Sequence, residues 1–285
     1  MSYEPISMEH KCLLKDRLKS VSVPISEYSF PNLYLFRNVH GYEVFQFEGE
    51  YYVRGKTYDG KVYIMPTRDM KSCCTETLQK LQNECDFFFP IHESWLEFFK
   101  DKGIEYDFRD GDTDYIYTTE KMSTYPGRKL HKKRNLLKQF NESYTAKAYE
   151  MSMDRLKDAK YILEKWLELS GLEKEETDYQ ACCEALKLYD QLCICGGVYY
   201  IDEEPVGFVL GEELTENTYV LHFAKALTNY KGIYQYIYND FANILPKRYE
   251  FINFEQDLGK MALRIAKTSY IPDRLEKKYR MRFTG

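Results

Sequence analysis

Apolar and polar residues alternate with the period of a β-strand in three consecutive segments of the first half of the chain. Glu48-Gly49 and Asp59-Gly60 provide turns between these segments, which together predict an antiparallel meander. Helical spacing and short apolar runs follow the meander. The predicted strands are residues 42–47, 50–58, 61–66, 87–89, 104–109 and 115–119, and the predicted helices are residues 75–84 and 94–102. The first half is therefore expected to run β-β-β-α-β-α-β, with residues 115–119 as one further strand.

The second half repeats this order of elements after two leading helices. The predicted helices are residues 153–169, 178–191, 234–244 and 259–267, and the predicted strands are residues 193–201, 205–211, 218–226, 249–254 and 275–283. The recurrence predicts duplication of one α/β unit. We therefore expect an α/β (α+β) fold of two modules, residues 1–148 and 149–285, each with a mixed sheet flanked by helices.

The composition changes this picture little. The chain has 285 residues, of which 44% are hydrophobic and 30% charged, as in globular proteins. No apolar run is long enough to cross a bilayer and the N-terminus lacks a signal-peptide core, which predicts a cytoplasmic protein. A net charge of −5 restricts any RNA contact to a local patch. The eight cysteines form no C-x-x-C pair, which predicts buried, reduced thiols and no metal site.

The stretch Phe251–Pro272 carries the most concentrated candidate chemistry. A short strand bears Asn253, Glu255 and Asp257, and the helix predicted after Gly259 bears Arg264 and Lys267 on its polar stripe. Acidic residues at a helix start are also favoured by the exposed N–H groups. The pattern therefore leaves two interpretations open, an active site or a helix entrance that faces its own basic residues.

A second candidate region is the basic run Gly127–Phe140, which places six Lys or Arg residues in twelve positions without an acid. Leucines and Phe140 form one apolar stripe along this run. The run therefore predicts a helix that is anchored by its apolar face and is positively charged elsewhere. The run lies between the predicted modules. The candidate phosphate-binding or substrate-binding residues are Lys132, Lys133, Arg134 and Asn135. A solvated basic helix without a ligand is the alternative.

The order of a meander, helix, strand and helix resembles the acetyltransferase-like module of the GNAT superfamily. That resemblance implies a phosphate-gripping loop, commonly [QR]-x-x-G-x-[GA], at the start of the helix after the meander. The equivalent segment here is Asn229–Tyr234, where Lys231 and Gly232 are the candidate cofactor-binding residues. Only Gly232 fits the pattern, and Tyr234 stands where a tiny residue is needed. Acetyl-CoA is therefore the less favoured donor.

Three ordered segments carry a more specific resemblance that covers nearly the whole chain. They are SEYSFPNLYLF at Ser26–Phe36, GRKLHKKRN at 127–135 and FINFEQDLGKMALRIAKTSYIPDRL at 251–275. These segments resemble the DUF2156 family of phosphatidylglycerol lysyltransferase C-terminal-like proteins. The resemblance implies a tandem GNAT fold of the Fem type and transfer of an amino acid from aminoacyl-tRNA, without another cofactor, to a lipid or peptide acceptor. Two positions depart from the family pattern, because Ala224 replaces a common Glu and Phe254 a common Arg.

In this resemblance Lys267 and Tyr270 match a K-x-x-[FY]-x-P signature. The leading hypothesis is direct attack of an acceptor amine or hydroxyl on an aminoacyl ester, with Lys267 stabilising the developing oxyanion. Arg264 is the candidate for binding donor phosphate, and Glu255 or Asp257 for holding the donor's ammonium group or taking a proton. Asp257 is alternatively a helix cap. The competing hypotheses are an acetyl-CoA-dependent acetyltransferase and a non-catalytic module that binds RNA or anionic lipid.

Overall fold

A computed structural model of the protein describes residues 1–284. Within them the strands are β1 (Tyr3–Pro5), β2 (Glu43–Phe47), β3 (Glu50–Lys56), β4 (Val62–Pro66), β5 (Phe87–Ile91), β6 (Ile104–Phe108), β7 (Asp114–Thr118), β8 (Ala146–Glu150), β9 (Cys195–Ile201), β10 (Glu204–Thr215), β11 (Thr218–Ala226), β12 (Phe251–Asn253), β13 (Arg274–Glu276) and β14 (Tyr279–Phe283). The helices are α1 (Lys11–Val21), α2 (Phe30–Leu35), α3 (Arg37–His40), α4 (Thr75–Leu81), α5 (Glu93–Phe99), α6 (Thr119–Thr124), α7 (His131–Ser143), α8 (Leu156–Ser170), α9 (Tyr179–Lys187), α10 (Tyr189–Leu192), α11 (Ile233–Ile244) and α12 (Met261–Thr268). None of these helices is long and apolar enough to cross a membrane.

The chain divides into two compact units. The first contains Met1–Asp114, Gln256–Leu263 and the described residues from Leu275 onward, and the second contains Tyr115–Glu255 and Arg264–Arg274. One sheet has the strand order β1-β2-β3-β4-β5-β14-β6, and the other has the order β13-β7-β12-β11-β10-β9-β8. Both sheets are mixed, since β4 pairs with β5 and β11 with β12 in parallel while the other recorded pairs are antiparallel. The predicted fold class, two mixed sheets flanked by helices, is confirmed.

The structure differs from the sequence pattern in where two strands pair. The final strand, β14, lies between β5 and β6, and β7 pairs with β12 of the other sheet. Residues 115–148 accordingly belong to the second compact unit. Alternation identifies a strand but not its partner, which explains the difference. The boundary between duplicated modules near residue 148 stays a prediction.

The cysteines are all free thiols, but the expected burial is wrong for most of them. Only Cys182 is buried, while Cys12, Cys74, Cys193 and Cys195 are exposed. Adjacent cysteines on one helix cannot share a buried face, and Cys182 and its half-buried neighbour Cys183 on α9 illustrate this.

A buried ion network holds the C-terminal strand in the first unit. Lys278 Nζ lies 2.6 Å from Asp114 Oδ1 and 2.7 Å from Glu27 Oε2, and it donates to Gln256 Oε1 at 2.8 Å. All three charged side chains are buried. Burial alone would lower the pKa of Lys278, but Asp114 and Glu27 raise it above its ordinary value. Ser26 and Glu27, at the start of the SEYSF segment, therefore bind the Lys278 ammonium group and hold it in place.

Replacement Lys278→Ala is expected to lower the free energy of unfolding by roughly 3–5 kcal/mol, because it leaves two buried carboxylates without their cation. Urea denaturation measures the change. Lys15→Ala, at an exposed position of α1, is the control and should change stability by less than about 0.5 kcal/mol. Equal stability of the two variants would contradict the network's role.

Candidate active site

The candidate site begins where β12 ends and the backbone turns sharply. The register between β11 and β12 stops at Val220 and Asn253, although β11 continues to Ala226. The buried Asn253 side chain accepts a hydrogen bond from the Glu255 amide at 2.6 Å, and Glu255 has a φ of 58°. A positive φ is costly for a residue with a Cβ. The two strands therefore part at a turn that side chains must hold in place.

Lys267 stabilises this turn through hydrogen bonds to its backbone. Its Nζ donates to the carbonyl oxygens of Phe254 at 2.6 Å and Glu255 at 3.1 Å. The Lys267 carbonyl in turn accepts from the Tyr117 hydroxyl at 2.7 Å. The lysine predicted to act on an oxyanion thus already binds two backbone oxygens, and its ammonium charge is fixed at the turn after β12.

A buried histidine that the sequence reasoning missed orients Glu255. The His222 ring lies with Nδ1 2.8 Å from Glu255 Oε1 and Nε2 3.0 Å from Glu212 Oε1. Burial alone would lower the pKa of His222, but hydrogen bonds to the two carboxylates raise it to about 10. His222 is therefore an imidazolium at neutral pH. A histidine in the apolar strand sequence YVLHFAKA was the available signal.

Asp257 has a local structural role before α12, which the sequence analysis gave as the alternative to a role in binding or proton transfer. It is fully buried, and its Oδ1 accepts from the Gly259 amide at 2.8 Å. Its carbonyl accepts from the Lys260 amide at 2.9 Å. Asp257 therefore shapes the turn that leads into α12. Arg264 lies half-buried on that helix, one turn before Lys267.

Tyr270 connects the helix α12 segment with the basic helix α7. Lys133 Nζ lies 3.7 Å from the centre of the buried Tyr270 ring, and the Tyr270 hydroxyl accepts from Gln235 Nε2 at 2.8 Å. Burial lowers the pKa of Lys133 to about 8. The structure thus brings two of the predicted substrate-binding residues together within the second unit, on one aromatic cluster.

Of the other three residues of α7 that were predicted to bind substrate, Arg134 binds the backbone, and Lys132 and Asn135 are exposed. Arg134 Nη1 donates to the carbonyl oxygens of Tyr125 and, at 2.7 Å, Gly127. This fixes the turn before α7, where Tyr125 and Gly127 both have positive φ. Lys132 and Asn135 are exposed on the helix. Lys132 therefore presents its charge to solvent, whereas the guanidinium of Arg134 serves the turn.

Helix α7 packs against the loop before α11, so that the space beside this loop is not open. Gly232 has a φ of 90°, and a Cβ there would lie 2.5 Å from the Leu136 carbonyl oxygen of α7. Phe140 of α7 stacks on Tyr236 with ring centres 4.6 Å apart. Helix α7 thus packs directly onto the start of α11, and the glycine is needed for that contact. Lys231 is exposed beside it.

The two departures from the family pattern lie in apolar surroundings. Ala224 is half-buried against the core of the second unit. Phe254 is buried, with ring centres 4.8 Å from those of Tyr117 and Tyr238. Among residues 1–284, no group of three or more His, Cys, Asp or Glu side chains is arranged to hold a metal ion.

Residues 20–282 match the family described as phosphatidylglycerol lysyltransferase, C-terminal. The chain belongs to this family. An uncharacterized protein of Mycoplasmoides gallisepticum is 27% identical in an alignment of 199 residues, and the match covers 65% of this chain and 60% of that protein. The chain thus matches about 60% of the length of this curated relative.

Solved structures of low sequence identity share the fold. A conserved protein of unknown function from Bacteroides thetaiotaomicron has a TM-score of 0.84 at 23% identity, and the match covers 99% of both chains. The C-terminal domain of a putative lysylphosphatidylglycerol synthetase from Agrobacterium fabrum has a TM-score of 0.60 at 13% identity over 95% of this chain and 92% of that one. FemX has a TM-score of 0.61 at 10% identity over 99% and 97%. The chain therefore shares its fold with FemX and with the C-terminal domain of the lysylphosphatidylglycerol synthetase.

The buried imidazolium predicts how stability depends on pH. Because the folded pKa of His222 is raised above its unfolded value, its contribution is complete below about pH 6.5 and is lost as the pH rises through about 10. The gap in unfolding free energy between the wild type and His222→Gln should therefore shrink from pH 6 towards pH 10. Urea denaturation across this range measures it, with the exposed His131→Gln as control. A gap independent of pH would exclude a titrating His222.

Proposed function

We propose that the protein transfers an aminoacyl group from aminoacyl-tRNA to an amine or hydroxyl of a lipid or peptide acceptor. Membership in the phosphatidylglycerol lysyltransferase C-terminal family and the Fem-type fold support an acyltransferase in general. The observation that carries the choice of donor is the packing of α7 on the start of α11 at Gly232.

That contact disfavours coenzyme A as the donor. A pyrophosphate bound at a helix start needs backbone N–H groups that it can approach closely. Beside Gly232, at the start of α11, the Leu136 carbonyl oxygen and the Phe140 side chain occupy the side on which a Cβ would stand. A carbonyl oxygen repels phosphate. The same helix α7 offers exposed cations, Lys132 among them, which suit the more extended phosphate backbone of RNA.

The reaction is an acyl substitution. The acceptor oxygen or nitrogen attacks the ester carbonyl, a C–O or C–N bond forms, the ester bond to the ribose breaks, and the acceptor's proton ends on the released ribose hydroxyl. Positively charged and N–H groups stabilise the oxyanion between these steps. Lys267 contributes its fixed ammonium charge and keeps the turn in shape, and Glu255, oriented by His222, binds the donor's ammonium group.

A transfer assay tests the proposal and the role of Lys267 together. Total tRNA charged with radiolabelled amino acids is incubated with the protein and with extracted lipids or amine-bearing peptides, and label in the acceptor fraction is counted. Lys267→Met should reduce the rate by about 10²-fold or more, because it removes the charge and releases two carbonyls. Lys260→Met, at an exposed position of the same segment, should change the rate little.

Three other results, from the transfer assay, from RNA binding and from calorimetry, would each decide against part of the proposal. Transfer by Lys267→Met at the wild-type rate would remove that lysine from the mechanism. Salt-dependent retention of RNA without transfer by the wild type would favour the binding module, and micromolar binding of acetyl-CoA in calorimetry would favour the acetyltransferase.

Lys133→Met separates binding from stability. A half-buried ammonium with a pKa lowered to about 8 weakens the fold at neutral pH, and methionine keeps the contact with Tyr270. The variant should therefore be at least as stable as the wild type at pH 7 but should bind charged tRNA more weakly. Denaturation and filter binding measure the two effects, with the exposed Lys157→Met on α8 as control. Reduced stability with unchanged RNA binding would assign Lys133 to the fold.

A further inference from the structure

Lys133 differs from two other cations of α7 in what its ammonium group contacts. Arg134 donates to two backbone carbonyls, and Lys138 Nζ lies 3.7 Å from Glu142 Oε1. The Nζ of Lys133 instead lies 3.7 Å from the centre of the Tyr270 ring. Among residues 1–284, it has no carboxylate within salt-bridge distance and no hydrogen-bond acceptor. The amine is therefore half-buried against an aromatic face, without an anion to hold its charge.

The groups that surround this aromatic face are uncharged. The Tyr270 hydroxyl accepts from Gln235 of α11, and the ring centres of Tyr125 and Tyr238 lie 5.8 Å and 5.5 Å from that of Tyr270. Burial raises the pKa of all three tyrosines above its ordinary value, so that none is a phenolate at neutral pH. Loss of water alone lowers the pKa of Lys133 to about 8, without a contribution from a neighbouring charge. The surroundings thus favour the neutral amine.

A neutral amine in such surroundings is a nucleophile. Desolvation in an apolar pocket is one of the ways in which proteins activate a lysine for attack on a carbonyl group. At pH 7.5 an ordinary lysine is deprotonated in roughly one molecule in a thousand, whereas a pKa of about 8 leaves roughly a quarter of Lys133 deprotonated. A less basic amine is intrinsically less reactive, but this loss is smaller than the gain in the deprotonated fraction.

We propose that Lys133 is a site of covalent modification by small activated acyl groups, namely acyl phosphates or acyl thioesters. The Nζ lone pair attacks the acyl carbon, an amide C–N bond forms, and the bond from that carbon to the phosphate oxygen or the thiol sulfur breaks. The proton of the amine passes to solvent, and the leaving group departs as phosphate or thiolate. An amide is much less reactive than the phosphate or thioester that it replaces. The product is therefore a lasting modification and not an intermediate of acyl transfer.

The modification changes the charge of α7 beside the Tyr270 ring. Acylation of a lysine removes its positive charge and with it the cation–π contact. Because α7 is the helix to which the proposed function assigns RNA phosphates, acylated protein should bind charged tRNA more weakly. This consequence rests on the proposed function, whereas the acylation itself does not.

Mass spectrometry of the acetylated protein tests the proposal. The purified protein is incubated with acetyl phosphate or, separately, with acetyl-CoA, and fragmentation of chymotryptic peptides distinguishes the adjacent lysines. At pH 7.5, Lys133 should be acetylated at least about tenfold faster than Lys132, the exposed neighbour that serves as the matched control. The rate at Lys133 should level off above about pH 8, whereas the rate at an ordinary lysine rises until about pH 10. In guanidinium chloride the two lysines should react equally.

Equal rates at the two lysines of the folded protein would overturn the proposal, as would a preference for Lys133 that survives unfolding. Acetylation by only one of the two reagents would support it and identify the class of donor. Filter binding then measures the consequence, since acetylation should weaken the binding of charged tRNA by the wild type but not by Lys133→Arg. An equal loss in both proteins would assign the effect to other lysines. The mapping of the site needs no tRNA, so that it can succeed where the transfer assay fails.

Discussion

The ammonium group of Lys267, bound to two backbone carbonyls, is the interaction on which the candidate site depends. Those carbonyls belong to Phe254 and Glu255, at the point where β12 stops following β11. Glu255, Leu258 and Ile271 all have positive φ, at 58°, 56° and 56°. Such backbone costs of order 1 kcal/mol or more per residue and persists only where the surroundings over-determine it. The cation offsets the cost at the first of these turns, and the strain surrounds α12 on both sides.

That turn also creates the electrostatic balance of the site. It brings the Glu255 carboxylate to His222, which Glu212 binds from β10. The His222 ring thus lies between two carboxylates, and the backbone carbonyl of Glu255 binds the ammonium group of Lys267. A carboxylate held in a fixed orientation is suited to bind an ammonium group. The geometry therefore links a turn with positive φ, a half-buried lysine and an oriented carboxylate in one short stretch of chain.

Sequence patterns predicted the elements better than their connections. Alternation and helical spacing located β2 to β5 and β9 to β11 because each of these elements repeats a strong local pattern. They did not locate β1, α1 to α3 or β8, and they could not show that β14 pairs with β5 and β6. The family signature singled out Lys267 and Tyr270, but His222 was missed because a single histidine in a strand carries no spacing. Pairing partners over long sequence separations are set by packing, which a local pattern does not encode.

Aromatic packing around Phe254 surrounds the turn after β12. Phe254 packs on Tyr117 and Tyr238, and the ring centre of Tyr238 also lies 5.5 Å from that of Tyr270. Replacing a buried ion pair by well-packed apolar groups is often neutral or stabilising, whereas removing one partner alone is costly. If the Glu and Arg that the resemblance implies at positions 224 and 254 pair with each other in relatives, their joint replacement by Ala224 and Phe254 avoids an unpaired charge. It also leaves the backbone carbonyl of Phe254 free to accept from Lys267, since that bond depends on the main chain and not on the side chain.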